Sequence, residues 1–196
     1  MRHLSILTAA VNAVIAALAS AVDLRGARRL LDVGGGSGIY SIACVEANPA
    51  LRATVFESKP VDRIARRSID RAGCGARIDV MTGDMFADAW PTDHDSHLFS
   101  NVLHDWDEAD CRRLLGMSAA SLPVGGRLVV HDMFLDDDKA GPLWAAEYSV
   151  LLASVTRGRL YSRLEVTGWA CDHGYTMVGR ADTALGRGVL EFVRLG

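Results

Sequence analysis

Apolar residues along this chain come in short runs separated by longer mixed stretches. Five runs read as strands: "RLLDVGG" from Arg29, "RATVFES" at 52–58, "ARIDVMTGD" at 76–84, a run near His97 to Val102, and "RLVVHDMF" at 127–134. The stretches between them read as helices. One runs from about Ile39 to Ala47 and stops near Pro49. Another opens at Pro60 and continues to about Ala72, and a third spans Asp107 to Ser121. Further helices are expected over Leu143 to Thr156 and over 162–174. In the latter, Ser162 followed three residues on by Glu165 forms a capping box and Gly174 supplies a stop. The tail offers two more strands, "YTMVGRA" and "RGVLEFVRL", suited to an antiparallel hairpin at a sheet edge. Strands alternating with helices at this spacing imply βαβ units. The expected fold is α/β, a Rossmann-like, mostly parallel sheet flanked by helices.

The first 23 residues need separate treatment. "MRHLSILTAAVNAVIAALASAVDL" has a basic start, an apolar stretch and an "ASA" that resembles a cleavage signal. Asn12 interrupts the run, which is short for a membrane span, and a strand with a glycine-rich loop follows almost at once. A packed or interface helix over 1–23 ahead of a domain over 24–196 is the expectation. With 196 residues and 49% hydrophobic content, one domain with a sizeable core is affordable. The 21 basic and 24 acidic residues leave a formal charge of -3, so neither a nucleic-acid footprint nor a membrane partner is expected. Cys44, Cys74, Cys111 and Cys171 are widely spaced with no CxxC pair, which fits a reduced cytoplasmic setting.

Candidate chemistry begins at "LLDVGGGSG". Gly34, Gly35, Gly36 and Gly38 let the backbone turn tightly after a buried strand and approach a ligand. No Lys-Ser/Thr follows, so a P-loop is excluded. Asp32, Glu57 and Asp84 fall at the ends of three successive strands, where open α/β sheets bind ligands. An acid at the position of Glu57 suits ribose hydroxyls, and an acid-rich pocket favours a cationic nucleoside over a polyphosphate. Asp32 is placed either to brace the loop or to meet a cationic ligand group. "FSNVLHDWDE", 99–108, then brings His104 to the end of the fourth strand, as either a cap or a general base, with Asp105 supporting the loop. Asp93, His94, Asp95 and His97 crowd a polar turn and are read as solvated loop, so no metal is expected.

"LDVGGGSG", "VFES", "GDMF" and "NVLHDWDE", in that order, resemble the catalytic domain of class I S-adenosylmethionine-dependent small-molecule O-methyltransferases. The branch is that of plant caffeic-acid-type enzymes and bacterial natural-product relatives. The resemblance covers about Leu24 to Tyr175. It implies S-adenosylmethionine as cofactor, with the methionine part held by Gly34, Gly36 and Gly38, the ribose by Glu57, and the adenine by Asp84 and Met85 beside Trp106. It makes His104 the general base. Asp132 is the acid that orients it, where the family usually has a glutamate. Ser100 stands at a cofactor-contacting position that plant members fill with lysine, and Leu160 at a second acidic position, which leaves the base braced from one side. Met133, Trp144 and Tyr148 are the candidates for gripping a flat, small-molecule acceptor. His131 should point away from its neighbour Asp132 if both lie on a strand. The family's usual N-terminal dimerisation domain has no counterpart here beyond one helix, which offers itself to a homodimer or a partner subunit. Two other readings keep the cofactor: non-methyl-transfer chemistry, and an accessory subunit that needs a partner.

Overall fold

The computed structural model describes the backbone of residues 2–196 and the side chains of residues 12–196. Among the described residues there are eight strands: β1 (Arg29–Val33), β2 (Arg52–Glu57), β3 (Ile78–Thr82), β4 (Ser96–Ser100), β5 (Arg127–Leu135), β6 (Tyr161–Ser162), β7 (Tyr175–Asp182) and β8 (Arg187–Arg194). Six helices accompany them: α1 (Arg2–Ala21), α2 (Ile39–Ala47), α3 (Asp62–Arg71), α4 (Glu108–Ser121), α5 (Leu143–Val155) and α6 (Arg163–Asp172). The sheet order is β3-β2-β1-β4-β5-β8-β7, with the two-residue β6 attached to β5. The first five strands are parallel, and β8 runs antiparallel between β5 and β7. The expected edge hairpin is therefore present.

The two layers follow from strand alternation, since successive side chains point to opposite faces. Leu31, Val33, Phe99, Leu128 and Val130 face one way and pack with Leu114 and Leu115 of α4 and Val166 and Trp169 of α6. Leu30, Val55, Leu98, Val129 and Val189 face the other way and pack with Leu18 of α1, Cys44 and Val45 of α2, and Ala65 and Ile69 of α3. Each such side chain contributes roughly 1.5–3 kcal/mol on burial. Strands buried on both faces have little room for polar residues, which is why they read as continuous apolar runs.

Helix α1 shares the second of these cores through Leu18, with Val22 just past its end and Val14 and Ile15 also buried. It packs against α2 and the turn before β8. No helix among the described residues is long and apolar enough to cross a membrane.

Local boundaries moved where side chains took over from periodicity. The third helix begins at Asp62 rather than Pro60. Asp107 is the N-cap of α4, its carboxylate accepting from Asp110 N at 3.0 Å, so the helix starts one residue later. The Ser162–Glu165 capping box of α6 is formed in both directions. β4 stops at Ser100 because Asn101 adopts a left-handed backbone, φ 54°. The chain then makes a short 3-10 turn over Leu103–Asp105 before Trp106.

Candidate active site

Strand order reverses between β1 and β4, and the carboxyl ends of the strands meet there. A cleft of about 340 Å³ opens at this edge. Its lining comes from four successive strand ends: Gly34 after β1, Phe56 to Ser58 at β2, Gly83 to Phe86 after β3, and Asn101, Val102, Asp105 and Trp106 after β4.

The glycine loop turns through three left-handed residues, Gly34, Gly36 and Gly38 (φ 64°, 57° and 74°), a conformation that side chains with a Cβ rarely adopt. Glu57 ties into this loop. One carboxylate oxygen accepts Gly36 N at 2.9 Å and the other accepts Ser58 N at 2.7 Å. Asp84 accepts Phe86 N at 2.8 Å and so holds the "GDMF" turn against the cleft. The Phe86 ring meets Trp106 edge-on, centroids 4.6 Å apart, forming an aromatic wall beside Met85.

Asp32, Ser100 and Gly38, placed in the cofactor set by sequence, do not line the cleft. Asp32 is 0% exposed and sits behind the loop. One of its oxygens accepts from Ser41 Oγ at 2.7 Å, and a Cβ on Gly35 would come within 2.6 Å of its carboxyl carbon. It therefore braces the loop rather than facing the cleft, and burial pushes its pKa up to about 6. Ser100 is buried, with its hydroxyl on His131 Nδ1 at 2.8 Å. Gly38 caps α2, and its missing Cβ faces Val55 and Ile69 of the core.

His104 lies just behind the cleft rim and is 7% exposed. Its Nδ1 is 2.5 Å from Asp132 Oδ1, which also accepts Met133 N at 2.8 Å. A carboxylate only accepts, so Nδ1 carries the proton and the Nε2 lone pair is left to work. Asp105 Oδ1 stands 3.7 Å from Nε2, too far for a direct hydrogen bond. The base thus has carboxylates on both sides, whereas the sequence pointed to one. Burial disfavours the imidazolium, but the Asp132 charge and hydrogen bond, with Asp105, outweigh it and raise the His104 pKa. His131 points to the opposite face, as alternation required. There it meets the Tyr40 ring, and burial lowers its pKa to about 4.

On the acceptor side, Tyr148 approaches His104 edge-on at 6.2 Å and packs with Met133 around Leu160. Leu160 is fully buried in that cluster, so an acid there would be enclosed in apolar contacts. Trp144 lies across Gly186, is 42% exposed, and lines a second cavity rather than the cleft beside the base. In the polar turn, Asp93 pairs with Arg29 at 3.0 Å, and Asp95 accepts the Arg28 and Arg29 backbone N–H groups. His94 bonds Thr54, and His97 bonds Ser118.

Sequence reasoning missed the strap that holds the base. Arg157 N donates to Asp105 O at 3.2 Å, and Tyr161 Oη donates to Trp106 O at 2.6 Å. Between them, Gly158 lies so close that a Cβ would come within 2.3 Å of His104 O and 2.5 Å of Trp106 N. The lone glycine in "TRGRL" was the available signal.

A family model described as an O-methyltransferase domain matches residues 3–176. The chain belongs to this family. The O-methyltransferase domain here is 42% identical over 161 residues to 3-hydroxy-5-methyl-1-naphthoate 3-O-methyltransferase of Streptomyces sahachiroi, an alignment covering 82% of this chain and 47% of that protein. An O-methyltransferase family 2 protein from Planctomyces limnophilus, solved with apigenin, superimposes with TM-score 0.88 at 36% identity, covering 98% of this chain and 60% of that one. Human N-acetylserotonin methyltransferase, solved with SAM, gives TM-score 0.83 at 25% identity, covering 93% and 52%. The chain thus spans about half the length of the relatives it matches. The fold is that of S-adenosylmethionine-dependent methyltransferases. The cleft suits that cofactor: carboxylates for hydroxyls, an aromatic wall for a base, a glycine turn for close approach, and no basic residue that a polyphosphate would need.

Proposed function

We propose that this O-methyltransferase domain transfers a methyl group from S-adenosylmethionine to a hydroxyl of a small aromatic molecule, with His104 as general base. The 2.5 Å His104–Asp132 contact beside the cofactor cleft carries this reading. When bound, the cofactor supplies an electrophilic methyl group. The chain's own work is to place the acceptor and take its proton. His104 Nε2 receives the hydroxyl proton as the oxygen gains the methyl, and Asp132 stabilises the imidazolium that forms. Holding the partners in line supplies much of the remaining rate. A phenol suits one mildly basic imidazole, whereas an aliphatic alcohol is much less acidic. The hydroxynaphthoate in the Streptomyces relative's name supports the same acceptor class.

Gly34, Gly36, Glu57, Asp84, Met85 and Trp106 are the residues we assign to the cofactor. Met133 and Tyr148, with Trp144 at the outer edge, are those we assign to the acceptor. The test is methyl incorporation from labelled cofactor into a panel of phenols. His104→Gln should lower turnover about 10²–10⁴-fold while calorimetry shows cofactor affinity unchanged. Equal turnover in the variant would remove His104 from the mechanism. A product without mass gain would replace methyl transfer with other chemistry.

A further inference from the structure

The cleft lining contains three carboxylates, Glu57, Asp84 and Asp105, and no lysine, arginine or histidine. The ligand assigned to it carries a carboxylate of its own at the methionine end. Held among acids alone, that group would sit in an unfavourable field. Ser100, the last residue of β4, and Asn101, just after it, are uncharged.

One arginine side chain touches a lining residue from another strand, while itself lining a second cavity with Trp144, Arg163, Arg180 and Asp182. Arg187 opens β8 opposite Met133 of β5. It is half-buried, and its Nε donates to Asn101 Oδ1 at 3.0 Å. Asn101 lines the cleft. Its Nδ2 donates to Tyr40 Oη at 2.9 Å, which turns the amide oxygen towards Arg187. Tyr40 lies in the first turn of α2, directly behind the glycine loop. The bridge Arg187–Asn101–Tyr40 therefore joins β8, β4 and α2 at the end of the cleft where the loop lies. Arg187 makes no ion pair among the described residues, its side chain makes no other hydrogen bond among them, and residues 1–22 contain no acid. A half-buried guanidinium whose terminal nitrogens lack a carboxylate partner is suited to a bidentate anion.

We propose that Arg187 is a cofactor-binding residue that holds the carboxylate of the methionine moiety, supplying from β8 the cation that β4 lacks. The proposal rests on the S-adenosylmethionine reading above.

Calorimetry on the full chain tests it with three ligands: S-adenosylmethionine, S-adenosylhomocysteine, which keeps the carboxylate, and decarboxylated S-adenosylmethionine, which lacks it. Wild type should bind the two carboxylated ligands about 10- to 100-fold more tightly than the decarboxylated one, the scale of a charge-assisted hydrogen-bond pair. Arg187→Met should erase that difference by weakening only the carboxylated ligands, and Arg187→Lys should restore part of it. Equal weakening of all three would make Arg187 a prop for Asn101 and overturn the proposal. So would unchanged binding of all three, which would direct Arg187 towards an anionic acceptor. Wild type that binds none of the three would overturn the cofactor reading itself. A thermal melt of each variant separates these outcomes from misfolding.

Discussion

At the scale of single residues, the site depends on one short contact. Asp132 fixes which nitrogen of His104 is free and raises the pKa of the ring. Only the neutral ring accepts a proton, so the acid limb of the kcat/KM profile should titrate above the ordinary histidine value of about 6.5. Asp132→Asn removes the charge and keeps the shape. The acid limb should move to lower pH while kcat falls, because the imidazolium loses its counter-charge. An unmoved limb in a pH–rate profile would show that Asp132 does not tune the base. Both members of this pair were legible in "HDW" and "HDMF". Asp105 was assigned to the loop alone, since its distance from Nε2 depends on a 3-10 turn that no periodicity encodes. For a related reason the sequence left Asp32 open between brace and ligand contact and named the position of Ser100 without its partner: a strand-end position names the sheet edge but not whether the side chain faces the cleft or the core.

At the scale of elements, the strap over residues 156–161 sets the height of the catalytic turn. Gly158→Ala must push its Cβ against backbone at His104 and Trp106, where no flexible side-chain end can yield. Overpacking of this kind costs about 1–3 kcal/mol, and Tm should fall by roughly 2–4 °C per kcal/mol for a chain of this size. Turnover should fall more than stability alone requires, with kcat reduced and the KM for cofactor little changed. A variant with wild-type kcat and a lowered Tm would confine Gly158 to a packing role. The larger elements were readable because their apolar periodicities are long. The two-residue β6 and the 3-10 turn were not, because their form is dictated by tertiary hydrogen bonds such as Tyr161 Oη to Trp106 O.

For the whole molecule, buried histidines set the response to acid. His97, enclosed beside Trp90 and bonded to Ser118, has its pKa pushed by burial down to about 3, and His131 down to about 4. Both stay neutral in the folded state, while the unfolded chain takes up their protons near 6.5. Stability is therefore intact above about pH 6.5 and is lost as pH falls towards the folded values, by about 2 kcal/mol per histidine at pH 5. Asp32, held up near 6, acts in the opposite sense and offsets part of the loss. In urea titrations at pH 7 and pH 5, His97→Gln should narrow the wild-type difference by about 2 kcal/mol. An identical difference in wild type and variant would mean that His97 is protonated in the fold.

The position of β8 bears on how the chain is made. It follows β7 in sequence yet lies between β7 and β5 in the sheet. On the ribosome, β5 emerges well before the strand that will cover its outer edge. At roughly 5–20 residues per second, the delay is on the order of seconds. Through that interval the nascent chain presents an open, apolar strand edge, the kind of template that invites pairing with a neighbouring chain. Expression yield should thus be governed less by the finished fold's stability than by what shields β5 while translation completes.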